Sequence, residues 1–126
     1  MAKILIVDDD PDIVDAGRMI LEKEGHQVAA AGTRTEGMKL AEEFKPDLFI
    51  LDVMMEEVDD GIAMAQDLRI KGVDQPILML TSISKVTGLR FDKDADANPV
   101  DDFQEKPISP ANLVAKVNAL LAKKEA

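Results

Sequence analysis

The chain has 126 residues, enough for one domain with a full core, and 46% are hydrophobic against 32% charged, the balance of a globular unit rather than a disordered one. A net charge of −10 speaks against a grip on nucleic acid, which needs clustered Lys and Arg, and without Tyr or Trp no aromatic platform for bases is visible. The lack of cysteine removes disulfides and cysteine-ligated zinc, and no apolar run reaches the length of a membrane span. Met1-Ala2-Lys3 leads directly into Ile4, which leaves no room for a signal peptide, so a cytoplasmic location is expected by elimination.

The apolar pattern then switches repeatedly between strand-like runs and helical periods. Lys3–Val7 is continuously apolar after its first residue, as in a parallel strand buried on both faces. Asp10 and Pro11 open a helix as N-cap and first-turn proline, with Ile13, Val14, Gly17, Ile20 and Leu21 on one face and Gly25 as the stop. Gln27–Ala31 is a weak second strand. Thr33 and Glu36 have capping-box spacing for a second helix that turns Gly37, Leu40, Ala41 and Phe44 inward and ends before Pro46. Asp47–Val53 is the strongest strand pattern in the chain, and an acidic loop, Met54–Asp60, follows it. Gly61–Ile70 predicts a third helix ended by Gly72, and Pro76 opens a strand that finishes at Thr81. Residues 84–100 are less regular, Asp102–Glu105 predicts a short last strand, and Ser109-Pro110 starts a final helix with Leu113, Val114, Val117, Leu120 and Leu121 inward. Lys123 and Lys124 suit the negative end of that helix's dipole.

Strand and helix alternate about five times without a repeat or a linker, so residues 1–126 are expected to form one α/β domain. Right-handed crossovers place helices on both faces of a doubly wound five-stranded parallel sheet, and the expected strand order is 2-1-3-4-5. Its switch point lies between the first and third strands. Ligands of such sheets bind at the carboxyl ends of the strands, where Asp8, Asp9 and Asp52 fall. Like charges brought so close need a cation or protons to offset them. Mg²⁺, which takes oxygen ligands and keeps several waters, suits Asp9 and Asp52 with Asp8 acting directly or through water. A carboxylate can also accept a phosphoryl group as an acyl phosphate; Thr81 could donate a hydrogen bond to it and Lys106 pair with it.

Ile4–Val7 followed by Asp8-Asp9, Asp52 after Leu48–Leu51, then Thr81, then Lys106-Pro107 together resemble the response-regulator receiver domain of two-component signalling over essentially the whole chain. The resemblance implies a flavodoxin-like sheet and a set of roles. Asp52 is implied as phosphoacceptor, Asp8 and Asp9 as the acidic pair for Mg²⁺, and the carbonyl of Met54 as a third protein ligand. Thr81 is similar to the switch hydroxyl, Phe103 to the switch aromatic and Lys106 to the phosphate-contacting lysine, whose bond to Pro107 is implied to be cis.

Two stretches depart from that pattern. The loop after Asp52 has Glu56 where the family usually has proline, and is about one residue longer before Gly61. Between Thr81 and Phe103, Gly88, Asn98, Pro99 and many charges predict a short, irregular helix. Met54 and Ile83, two residues after Asp52 and Thr81, offer no hydrogen bond to an attacking water, and slow self-dephosphorylation is expected. His26 is expected to be a partly exposed structural residue, Glu42-Glu43 a solvated helix face, and Asp92, Asp94 and Asp96 lack the glycine and distal glutamate of a calcium loop.

The expected function is that of a stand-alone regulator, not an enzyme acting on a separate substrate. It takes its phosphoryl group from a histidine kinase, a phosphotransfer protein or a small acyl phosphate. Its output is expected through contact with a protein target, with no nucleic acid and no membrane, and homodimerisation on phosphorylation is left open. Two alternatives stand beside it. One is a phosphohydrolase of the haloacid dehalogenase type with Asp8 as nucleophile and Asp10 two residues on. The other is a receiver that serves only as a docking module.

Overall fold

The computed structural model describes residues 2–52, 60–81, 102–105 and 109–125, without the side chains of 60, 81, 102–105 and 123–125. Strands β1 (Lys3–Val7), β2 (Gln27–Ala31), β3 (Leu48–Asp52), β4 (Ile77–Thr81) and β5 (Asp102–Glu105) form one parallel sheet in the order β2-β1-β3-β4-β5. The helices among the described residues are α1 (Pro11–Lys23), α2 (Arg34–Phe44), α3 (Asp60–Ile70) and α4 (Pro110–Glu125). The expected α/β class, strand order and two-sided helix cover are all present.

The continuous apolar runs split by the two-residue period of a strand. Leu5, Val7, Phe49, Leu51, Ile77 and Met79 face α2 and α3, and pack with Met64, Ala65 and Leu68 of α3. Their neighbours Ile4, Ile6, Leu48, Ile50, Leu78 and Leu80 face the other way and pack with Leu21 of α1 and with Leu113, Val117 and Leu120 of α4. Two cores therefore sandwich the sheet, and β1, β3 and β4 lie between them. This is why those three strands are apolar without alternation, whereas β2 at one edge is partly exposed.

The helix ends follow their local chemistry. The Asp10 carboxylate accepts the Asp12 N–H at 2.9 Å, with Pro11 at the first helical position. Thr33 Oγ1 accepts the Glu36 N–H at 3.1 Å, and Ser109 Oγ accepts the Asn112 N–H at 3.2 Å. Gly25 and Gly72, at φ 94° and 89°, take the left-handed turns that end α1 and α3. Helix α2 stops differently. Lys45 itself adopts φ 53°, a conformation that costs a non-glycine residue about 1–2 kcal/mol, because a following proline disfavours the ordinary helical region.

The expected strand from Asp47 begins at Leu48, because Asp47 is engaged with the start of β1. Its carboxylate accepts the Lys3 N–H at 2.9 Å and its own N–H donates to the Lys3 carbonyl at 2.6 Å. Val53 lies outside the described residues. At the same end of the sheet, His26 is half-buried and its Nδ1 accepts the Ala2 N–H at 3.1 Å. Burial holds its pKa below the ordinary value, the positive amino terminus lowers it further, and Glu24 opposes both. Helix α2 is tied to α3 by Arg34–Asp67 at 2.6 Å and to the turn just after α3 by Glu42–Lys71 at 3.2 Å. The Arg69 guanidinium donates to the Val73 and Gln75 carbonyls, tying down the turn into β4. No described helix is long and apolar enough to cross a membrane.

Candidate functional site

The register of the central strands assembles the site. Val7 of β1 is level with Leu51 of β3, so the next residues, Asp8 and Asp52, stand side by side at the carboxyl edge. The two side strands leave β1 and β3 in opposite directions here, the position at which a doubly wound sheet opens a crevice. Asp8 is 2% exposed and Asp52 1% exposed, and they are the two buried charged residues among the described ones. Asp9 is exposed at the rim. One carboxylate oxygen from each of Asp8, Asp9 and Asp52 lies within 4.8 Å of the other two.

Asp8 is held from both sides. Its N–H donates to the Ala31 carbonyl of β2 at 3.0 Å, and its Oδ1 accepts the Asp10 N–H at 2.9 Å. Asp10 is in turn the cap of α1, so the start of that helix and the Asp8 carboxylate share one rigid turn. The positive end of the α1 dipole also lies beside the acidic cluster. This support was not read from the sequence. The Asp-x-Asp spacing of Asp8 and Asp10 carried the signal, because an Asp side chain commonly accepts the N–H two residues on.

An all-oxygen donor set fits a hard divalent cation rather than a thiophilic or imidazole-seeking one. Oxygens around one Mg²⁺ stand roughly 3–4 Å apart, given metal–oxygen distances of about 2.1 Å. The cluster is already near that spacing. Two of its three members are buried, so the electrostatic cost of the arrangement is largest when no cation is bound.

Thr81 is the last residue of β4. Asp52 pairs with Leu80, which puts the Thr81 backbone one residue beyond Asp52 along the same edge. Thr81 pairs with Glu105, and Phe103 pairs with Met79. The chain thus leaves β5 beside the end of β4, immediately before Lys106. The Thr81 and Phe103 side chains, the whole of Lys106 and Pro107, and Met54 with the rest of 53–59 lie outside the described residues, as do Ile83 and the stretch 84–100. Asp10 is a cap, as expected. Glu42 and Glu43 are exposed, with Glu42 paired to Lys71.

A doubly wound sheet of order 2-1-3-4-5 with a carboxylate cluster at its switch point defines a small set of proteins, and three comparisons place this chain among them. The response regulator receiver domain model matches residues 4–118. The alkaline phosphatase synthesis transcriptional regulatory protein PhoP of Bacillus subtilis is 40% identical, over 98% of this chain and 50% of its own length. The DNA-binding dual master transcriptional regulator RpaA of Synechocystis is 38% identical, over 96% of this chain and 49% of its own. The solved receiver domain of the Francisella response regulator 1452 superposes with a TM-score of 0.80 at 26% identity, covering 98% of this chain and 99% of that one. The chain belongs to the response regulator receiver domain family. It spans about half the length of the relatives it matches.

Proposed function

We propose that this receiver domain accepts a phosphoryl group on Asp52 and thereby changes its affinity for a protein partner. The observation that carries the reading is the cluster itself: Asp52 is buried at the end of β3, within 4.8 Å of Asp8 and Asp9 oxygens, at the switch point of the sheet. An Asp52 carboxylate oxygen attacks the phosphorus of a donor phosphohistidine. The P–N bond breaks, its electron pair returns to the imidazole, and an acyl phosphate remains on Asp52. Family membership supports this reading over the phosphohydrolase one. The geometry agrees, since Asp10, the second acid of that scheme, is spent as the α1 cap.

Asp8, Asp9 and Asp52 would hold Mg²⁺, with the Met54 carbonyl as a further ligand. When bound, the ion offsets the charge that develops on the transferring oxygens. The hydrogen bond from the Asp10 N–H holds Asp8 Oδ1 in place beside the cluster. In this reading Thr81 donates to a phosphoryl oxygen, Lys106 pairs with another, and Phe103 turns inward as Thr81 moves. These are biases on a two-state equilibrium rather than turnover of a separate substrate.

The donor in this proposal is a histidine kinase or phosphotransfer protein, with small acyl phosphates as substitutes; a kinase of that kind is also the ground for a cytoplasmic setting. The relatives carry this unit in chains about twice as long, so the proposal is confined to the receiver unit. One of them is DNA-binding by name. The charge of −10 supports a receiver that makes no DNA contact of its own.

The test is intact mass after incubation with acetyl phosphate and Mg²⁺. Wild type should gain one phosphoryl group, and Asp52→Asn should not. An adduct that survives in Asp52→Asn but disappears in Asp8→Asn would overturn the assignment. No adduct from acetyl phosphate or from a phosphohistidine donor would leave the docking-module reading.

A further inference from the structure

On the α1 and α4 side of the sheet lies a cavity of about 210 Å³. Helix α1 contributes Ile13, Gly17 and Ile20 to its wall, the sheet Ile50 and Leu80, and helix α4 Leu113. No charged or polar side chain lines it among the described residues. Protein interiors are close-packed and hold few voids larger than a water molecule, whose share of liquid volume is about 30 Å³. Apolar cavities of roughly 150 Å³ stay dry and take up benzene or xenon. This one is larger and as apolar in its lining, and it is partly open to solvent along α1.

We propose that the cavity is a binding site for an uncharged apolar molecule about the size of a single aromatic ring. The lining sets the chemistry. A charged ligand would lose hydration with nothing in the lining to offset the loss, and water would find no hydrogen-bond partner among the lining side chains. The volume sets the size. The route in is marked by Ala16, which lines the cavity yet is exposed on α1, so the site opens between α1 and solvent. Gly17 brings α1 close to the sheet beneath that opening: a Cβ there would stand 3.0 Å from Ile6 Cδ1. The site is separate from the carboxylate cluster, and its existence does not rest on the phosphoacceptor reading. It does share a wall with that cluster's scaffold, because Leu80 is the cross-strand partner of Asp52.

The test is an amide ¹H–¹⁵N titration of the whole chain with benzene, with dissolved ¹²⁹Xe as a second probe. The expected result is a saturable shift at Gly17, Ile50 and Leu80, and, at benzene ten times above its Kd, a roughly tenfold rise in the folding equilibrium constant. Ala16→Leu should close the mouth without harm to the helix, since Leu is a good helix former at an exposed position. Leu113→Phe should fill the space from the other side. Either variant should keep a folded spectrum and lose the saturable shift. No saturable shift in wild type up to benzene's solubility overturns the proposal, as does an equal shift in both variants. Concentration-dependent dimerisation that moves the same amides without added ligand would assign the cavity to a second copy of the chain, and overturns it too.

Discussion

Replacing Asp52 by Asn should stabilise the fold when no divalent cation is present. Asp52 and Asp8 are both buried, and their oxygens lie within 4.8 Å of each other and of an Asp9 oxygen. Two unit charges 4.8 Å apart repel by about 3.5 kcal/mol at an effective dielectric of 20, and by about 0.9 kcal/mol in bulk water. The Asp52–Asp8 pair belongs near the first figure and the pair with exposed Asp9 near the second, a gross relief of about 4 kcal/mol. The carboxylate's attraction to the α1 N-terminus and to other groups returns part of this, leaving a net gain of roughly 1–3 kcal/mol. For a domain of this size that is a rise in Tm of about 4–12 °C. The assay is thermal and urea unfolding of both proteins in EDTA at low ionic strength. Adding Mg²⁺ should then raise wild type, by about 2.7 kcal/mol at one hundred times its Kd, and raise Asp52→Asn by much less. A variant less stable than wild type in EDTA would refute the reasoning, because it would mean that the site holds the Asp52 charge at a net profit without any cation.

Gly37→Ala should destabilise by about 1–2 kcal/mol: its Cβ would sit 2.9 Å and 3.1 Å from the two Val7 methyls and 3.0 Å from Met64 Cε, and overpacking outweighs the gain of about 1 kcal/mol in helix propensity. Gly32→Ala, with nothing within 4 Å, is the control and should be near neutral in the same urea titration. Asp10→Ala removes the α1 cap and should cost about 1 kcal/mol in urea unfolding, with weaker Mg²⁺ affinity by fluorescence or calorimetric titration because the Asp8 turn loosens. His26 has a folded-state pKa below its ordinary 6.5, so the fold favours the neutral ring. Its contribution is therefore fully present above pH 6.5 and is lost as pH falls below it, when the unfolded chain binds the extra proton first. Unfolding free energies at pH 7.5 and 5.5 should fall less in His26→Gln than in wild type; an equal fall would contradict the assignment.

Much of this architecture is legible in the residues alone because it is written in short-range chemistry. The Asp10-Pro11 and Thr33-x-x-Glu36 starts, the Gly25 and Gly72 stops and the doubly apolar runs of β1, β3 and β4 each follow from one or two neighbours in the chain, and each appears in the structure where its pattern falls. The family-level spacing of Asp8, Asp9 and Asp52 is equally plain. Other features depend on contacts far apart in sequence. That Asp47 leaves β3 to bind Lys3, that Lys45 rather than a glycine turns the end of α2, and that Gly37 is needed against Val7 and Met64 all reflect neighbours brought in by folding. The same holds for the site. Adjacent acidic residues at Asp8-Asp9 are common in solvated turns. They become part of a three-carboxylate cluster because parallel pairing sets Val7 level with Leu51, and so brings Asp52 beside Asp8 at a spacing that no local pattern specifies.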